Sequence, residues 1–147
     1  MPTTGKVKGK LIKVWIDDDP VSLGGAGNKQ LAGCQTDSNV NLSTSELEAT
    51  CKDDGNFSDA NPDENSATID LSLLTKFDAT LNLAEIRGFW SNQTICELTV
   101  GTGVTGDPEM TAIAFLTSAN EGKPLQGIAT IDTSWRVKGA PTFGTTS

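Results

Sequence analysis

Residues 31–55 read LAGCQTDSNVNLSTSELEATCKDDG, and their pattern decides the fold class. Along residues 32–42 the chain alternates with a period of two. Cys34, Thr36, Val40 and Leu42 fall on one parity, and Gln35, Asp37, Asn39 and Asn41 on the other. A second run, residues 46–52, sets Leu47, Ala49 and Cys51 against Glu46, Glu48 and Thr50 before Asp53, Asp54 and Gly55 close it. The expectation is a long β-hairpin with arms at 32–42 and 46–52 and one polar, acidic face carrying Asp37, Asn39, Asn41, Glu46 and Glu48.

Working outward, residues 11–16 (LIKVWI) form a β-rich run stopped by Asp17, Asp18, Asp19 and Pro20, and Gly24, Gly25 and Gly27 extend that stop into a loop. Residues 56–65 hold Phe57 as their only large apolar side chain, together with Pro62 and several carboxylates, and read as an exposed loop. Strand pattern resumes at Ser66, with Ala67, Ile69, Leu71 and Leu73 expected to point inward. The one helical pattern covers residues 83–91: Asn82 is placed to cap it, Glu85 follows three positions on, and Ile86, Phe89 and Trp90 recur at helical spacing. Residues 94–101, 109–120 and 127–139 then read as strands separated by Gly and Pro signals.

The tally is about seven strands and one helix, a mainly β (α+β) chain expected to form a β-sandwich or barrel with the helix packed against it. Its 147 residues suit one domain at residues 10–139, with residues 1–9 expected as a flexible N-terminal arm and 140–147 as a C-terminal arm.

Composition excludes several functions. Nineteen acidic against eleven basic residues give a formal charge of -8, which repels nucleic-acid phosphates. There is no His and no Tyr, so Ser–His and Cys–His acyl transfer is ruled out. Cys34, Cys51 and Cys96 lack metal-ligand spacing and read as reduced, buried thiols. The carboxylate runs 17–19 and 53–54 do not match a calcium loop, and the Gly-rich LGGAGNKQ lacks the Lys-Ser/Thr ending of a phosphate cradle. Trp15, Trp90 and Trp135 sit in apolar patterns and are expected in the core. No catalytic residue, metal or cofactor is expected. No run has signal-peptide or membrane-spanning length, so no membrane insertion is expected either.

Four stretches together resemble the major tail tube protein family of long noncontractile-tailed bacteriophages. They are the Gly-Lys entry into the first strand (9–16), the hairpin passage with Asn-Leu-Ser-Thr (41–44) and Ala-Thr-Cys-Lys-Asp-Asp (49–54), the helix-then-strand at 83–100, and the ending GIATIDTSWRVKGAP. The resemblance spans nearly the whole chain. It implies a structural subunit that closes into rings, six copies being usual, which stack as a tube through which genomic DNA passes without specific binding. Asp37, Asn39, Asn41, Glu46 and Glu48 then become channel-lining candidates, and Asp17, Asp18, Asp19, Asp53, Asp54 and Asp59 candidates for contacts between rings. It also implies tape-measure, tail-terminator and tail-tip or baseplate partners, and a place in the virion tail after assembly in the host cytoplasm. The inner tube of a contractile tail or injection machine, and a monomeric β-sandwich binding or decoration module, are the alternatives.

Overall fold

The computed structural model describes residues 4–32, 35–48, 60–75 and 82–146. Strands β1 (Lys13–Asp17), β2 (Lys29–Leu31), β3 (Gln35–Glu48) and β4 (Ala60–Leu74) precede helix α1 (Leu83–Ser91), and β5 (Ile95–Gly101), β6 (Pro108–Gly122), β7 (Thr130–Val137) and β8 (Thr142–Thr145) follow it. All belong to one 8-stranded sheet in the order β2-β1-β5-β6-β7-β4-β3, with β8 added to β6. Every pairing is antiparallel.

The path begins at β2 and ends at β3, yet only residues 32–34 separate those strands along the chain. So short a link reaches about 14 Å at most, so the two ends of the sheet must lie side by side. The sheet is therefore rolled, as the barrel-like expectation required. Gln35 closes the seam: its side-chain oxygen accepts from Val14 N at 3.0 Å, and its amide nitrogen donates to Val14 O at 2.9 Å and Ala32 O at 2.7 Å. The side chain replaces a missing ladder rung between β1 and β3.

The roll buries one row from each strand. Ala67, Ile69, Leu71 and Leu73 point inward as their alternation predicts, facing Ile131 and Trp135 of β7 with Cys96, Leu98, Ala112, Ala114, Val14 and Ile16 beyond. Helix α1 covers the remaining apolar surface with Leu83, Ile86 and Phe89, the last ring meeting Trp135 edge-on at 6.1 Å. The side chain of Asn82 accepts from Glu85 N, the capping contact its position predicts. Trp90 departs from expectation. It is 62% exposed, because it follows Phe89 around the helix and leaves the buried stripe. Trp15 is only half-buried, its ring under Gly103, where a Cβ would stand 3.2 Å from it.

The hairpin also differs from its sequence reading. β3 runs unbroken from Gln35 to Glu48, and its partner is β4, so residues 46–48 continue the first arm and residues 60–65, expected as loop, belong to the second. Ser43, Thr44 and Ser45 make no turn because they find partners across the ladder. Ser43 Oγ lies 2.7 Å from Ser66 Oγ, Thr44 Oγ1 donates to Asn65 Oδ1 at 2.7 Å, and Ser45 Oγ accepts from Glu64 N at 2.9 Å. Within residues 140–147, expected as a C-terminal arm, Thr142–Thr145 pair with Pro108–Thr111.

Candidate functional site

The outward face of β3, β4, β7 and the second half of β6 is a grid of side chains, all polar but Phe115, with three aligned rungs. Asp37, Ser72, Asp132 and Asn120 form one; Asn39, Asp70, Ser134 and Ser118 the next; Asn41, Thr68, Arg136 and Phe115 the third. The alternation that aims Ile69, Leu71, Ile131 and Trp135 into the core dictates this face, because successive strand residues point to opposite sides. Asp70 ties the grid together, accepting from Asn41 Nδ2 and from Ser134 Oγ, each at 2.9 Å. Three carboxylates, Asp37, Asp70 and Asp132, stand against the single cation Arg136 in these rungs. The surface is therefore acidic and densely hydrogen-bonded.

Of the channel-lining candidates, the structure brings together Asp37, Asn39 and Asn41 but separates Glu46 and Glu48. Along an uninterrupted strand these two share the parity of Val40 and Leu42, the opposite side from Asn39 and Asn41; an assumed turn at 43–45 had put them on the acidic face. Gln35, which shares the parity of Asp37 in sequence but is no channel-lining candidate, is also set apart from that face. A bulge between Gln35 and Asp37 inserts an extra residue, so Gln35 turns to the seam while Asp37 turns outward. Asp70, Asp132, Ser134 and Arg136 escaped the sequence reading, although the polar positions between the inward residues 67–73 and 131–137 carried the signal.

The acidic loop after β1 is used locally. Asp17 is buried, and its Oδ1 accepts from Asp19 N and Asn28 N, both at 2.9 Å. Asp18 accepts from Asn28 Nδ2 at 2.8 Å, and Asp19 Oδ2 from Ala26 N at 3.2 Å. Asp17 is thereby spent inside its own loop, whereas Asp18 remains at the surface. Asp53, Asp54 and Asp59 lie outside the described residues, as do Cys34 and Cys51. Burial, followed by the fields of Asp18 and Asp17, pushes the Cys96 thiol up to about 12, and the side chain is fully enclosed. Among the described residues no cluster of three or more His, Cys, Asp or Glu could hold a metal, and no helix is long and apolar enough to cross a membrane.

Two strand edges bound the grid. Among the described residues β3 pairs only with β4, so its other edge carries no ladder beyond the seam there. β6 pairs with β5 only as far as Phe115, opposite Ile95, so the same edge of residues 116–122 has no ladder partner among the described residues. A polar antiparallel face with one open edge on each side defines a class of protein: a building block completed by further copies rather than a site that works alone.

The comparisons give that class a family. The family model for phage tail tube protein matches residues 6–143. The chain belongs to this family and is a structural subunit of a phage tail tube. Among solved structures it resembles the tail of a gene transfer agent particle refined with C6 symmetry, at a TM-score of 0.78 and 17% identity over 95% of this chain and 100% of that one. It also resembles the SPP1 tail tube, at 0.75 and 13% over 95% and 80%. The sheath-tube complex of an extracellular contractile injection system follows at 0.63 and 14% over 91% and 88%. No curated protein matches the chain by sequence.

Proposed function

We propose that this subunit joins its neighbours edge to edge and that the polar grid lines the channel of the resulting ring. The carrying observation is the direction of the strands. β3, β4, β7 and β6 alternate down, up, down, up, so rotation about a ring axis sets the open half of β6 against β3 of the next copy antiparallel. An even number of alternating strands closes without a parallel mismatch whatever the number of copies. Six copies suit the symmetry of the gene transfer agent tail, and rings then stack head to tail.

In that arrangement Asp37, Asn39, Asn41, Asp70 and Asp132 face the lumen. Their charge repels the phosphates of passing DNA, and their mutual hydrogen bonds leave few donors to grip them. Stacking falls to the loop at 17–28, with Asp18 and Asp19 at its surface, and to the acidic segment holding Asp53, Asp54 and Asp59. The work is geometric and needs no catalytic group or cofactor. Tape-measure, terminator and tail-tip proteins complete the tail, which assembles in the host cytoplasm. A tube without a contractile sheath is the preferred form, the likeness to the injection-system tube being the weaker of those above.

The test is to reverse the lumen charge. Tubes of Asp37→Lys/Asp132→Lys protein are expected to retain fluorescent duplex DNA in a salt-sensitive way, while parent tubes and tubes carrying Glu85→Lys on the outer helix do not. Equal retention by all three would remove the acidic face from the channel wall.

A further inference from the structure

At the point where β5 takes over the edge of β6, the surface holds an apolar notch of about 750 Å³ lined by Trp90, Ile95, Phe115, Leu116 and Lys138 among others. Trp90 is 62% exposed, with Ile95 and Phe115 beside it at 37% and 36%. Large aromatic surface left open at a strand edge marks a contact the single copy does not make. We infer that the notch is a socket for Leu42 of the neighbouring copy, a knob-and-hole anchor that sets how far one subunit slides along the next. The inference rests on the ring reading above.

Three observations choose this occupant. Asn41 and Phe115 lie on one rung of the grid, so when the edge of β3 meets the edge of β6 in a level ring, Asn41 of one copy arrives beside Phe115 of the next. There the ladder ends, because Ile95 already occupies the edge opposite Phe115. The following residue, Leu42, has to leave the ladder, and it is 60% exposed. Its parity is that of Val40, the inward side of the sheet, and Leu116 and helix α1 with Trp90 form the wall of the notch on that side.

Because knob and hole sit on opposite sides of one subunit, two defective proteins can rescue each other once. Leu42→Asp keeps its socket and loses its knob; Trp90→Asp keeps its knob and loses its socket. Each alone is expected to stay monomeric, or to need at least about tenfold more protein than the parent to polymerise. Both positions are exposed, so circular dichroism of each variant should match the parent. An equimolar mixture should give a heterodimer and nothing larger, since it contains one intact interface, measured by light scattering and analytical ultracentrifugation. Variants that build tubes at the parent's concentration overturn the socket and leave the tube reading intact. A mixture that behaves as the sum of two monomers overturns the pairing of Leu42 with Trp90. A parent that never polymerises, with or without its tail partners, refutes the ring reading itself and the socket with it.

Discussion

Replacing Gln35 by Leu tests whether a single side chain holds the roll closed. The Gln35 amide makes three hydrogen bonds across the seam, one from Val14 N and two to Val14 O and Ala32 O. Val14 is fully buried, so its N–H has no water to turn to when Gln35 is removed, while Val14 O keeps the bond from Ala32 N at 3.2 Å. An intramolecular hydrogen bond contributes about 1 kcal/mol net, and a buried donor left without a partner costs about 1–3 kcal/mol. Leu keeps the apolar bulk, so the expected loss is about 2–4 kcal/mol, or a fall in Tm of roughly 5–12 °C for a domain of this size. Urea unfolding of dilute, unassembled protein measures it, with hydrogen exchange at the Val14 amide as a local readout. Thr36→Ala, which removes an exposed hydroxyl bonded to Ser72 O at 3.2 Å, is the control and should cost well under about 1 kcal/mol. Gln35→Glu sharpens the test, because a carboxylate accepts from Val14 N but cannot donate to the two carbonyls. Only its protonated form can donate, so the folded state binds the proton more tightly than the unfolded chain. That variant should be most nearly parental at acid pH and should lose stability as pH rises. A change below about 0.5 kcal/mol for Gln35→Leu, with Val14 still protected, would refute the seam argument.

Two further outcomes are expected. Cys96, whose thiol burial and nearby carboxylates push up to about 12, should resist alkylation at pH 8 in the folded chain and react only after denaturation; labelling at equal rates with and without urea, followed by mass spectrometry, would show the thiol is not enclosed. Polymerisation should grow easier as salt rises from about 10 to 150 mM, because copies carrying a formal charge of -8 repel one another and the screening length shrinks from about 30 to 8 Å over that range. Dissociation of tubes on adding salt would instead place ion pairs at the joints.

What was legible in the sequence is what burial controls. The row Ala67, Ile69, Leu71, Leu73 and the enclosed Trp135 follow from alternation, because a half-buried strand has to repeat every two residues. The Asn82 cap follows from the unsatisfied N–H groups that start any helix. What escaped is what hydroxyl pairing controls. Residues 43–45 and 64–65 look like a turn and a loop because they are small and polar, yet they are strand because the hydroxyls of Ser43, Thr44 and Ser45 find partners across the ladder. Pro62 reinforced the error. It sits beside the register shift between Thr44 and Glu46, where a proline's missing N–H is tolerated in a strand. That single misplaced turn put Glu46 and Glu48 on the face of Asp37, Asn39 and Asn41, whereas along the continuous strand they fall on the other.

The open edges explain why such an arm is written in Ser, Thr and Asn rather than in Val and Ile. A monomeric protein blunts a long edge with Lys, Pro or a covering element; β3 has 14 residues with neither Lys nor Pro, and its one bulge near the N-terminal end lies at the seam. An edge so bare and also apolar would pair indiscriminately during synthesis. Polar side chains remove that drive and leave the backbone to recognise its partner by hydrogen bonds. The carboxylates of Asp37, Glu46 and Glu48 add repulsion between copies that meet in the wrong register. Affinity must then be concentrated where a little apolar surface remains, and on β3 that surface is Leu42 and Leu47, at 60% and 58% exposure. A weak, register-neutral edge with a few apolar anchors favours subunits that wait as monomers and join only when both features engage together.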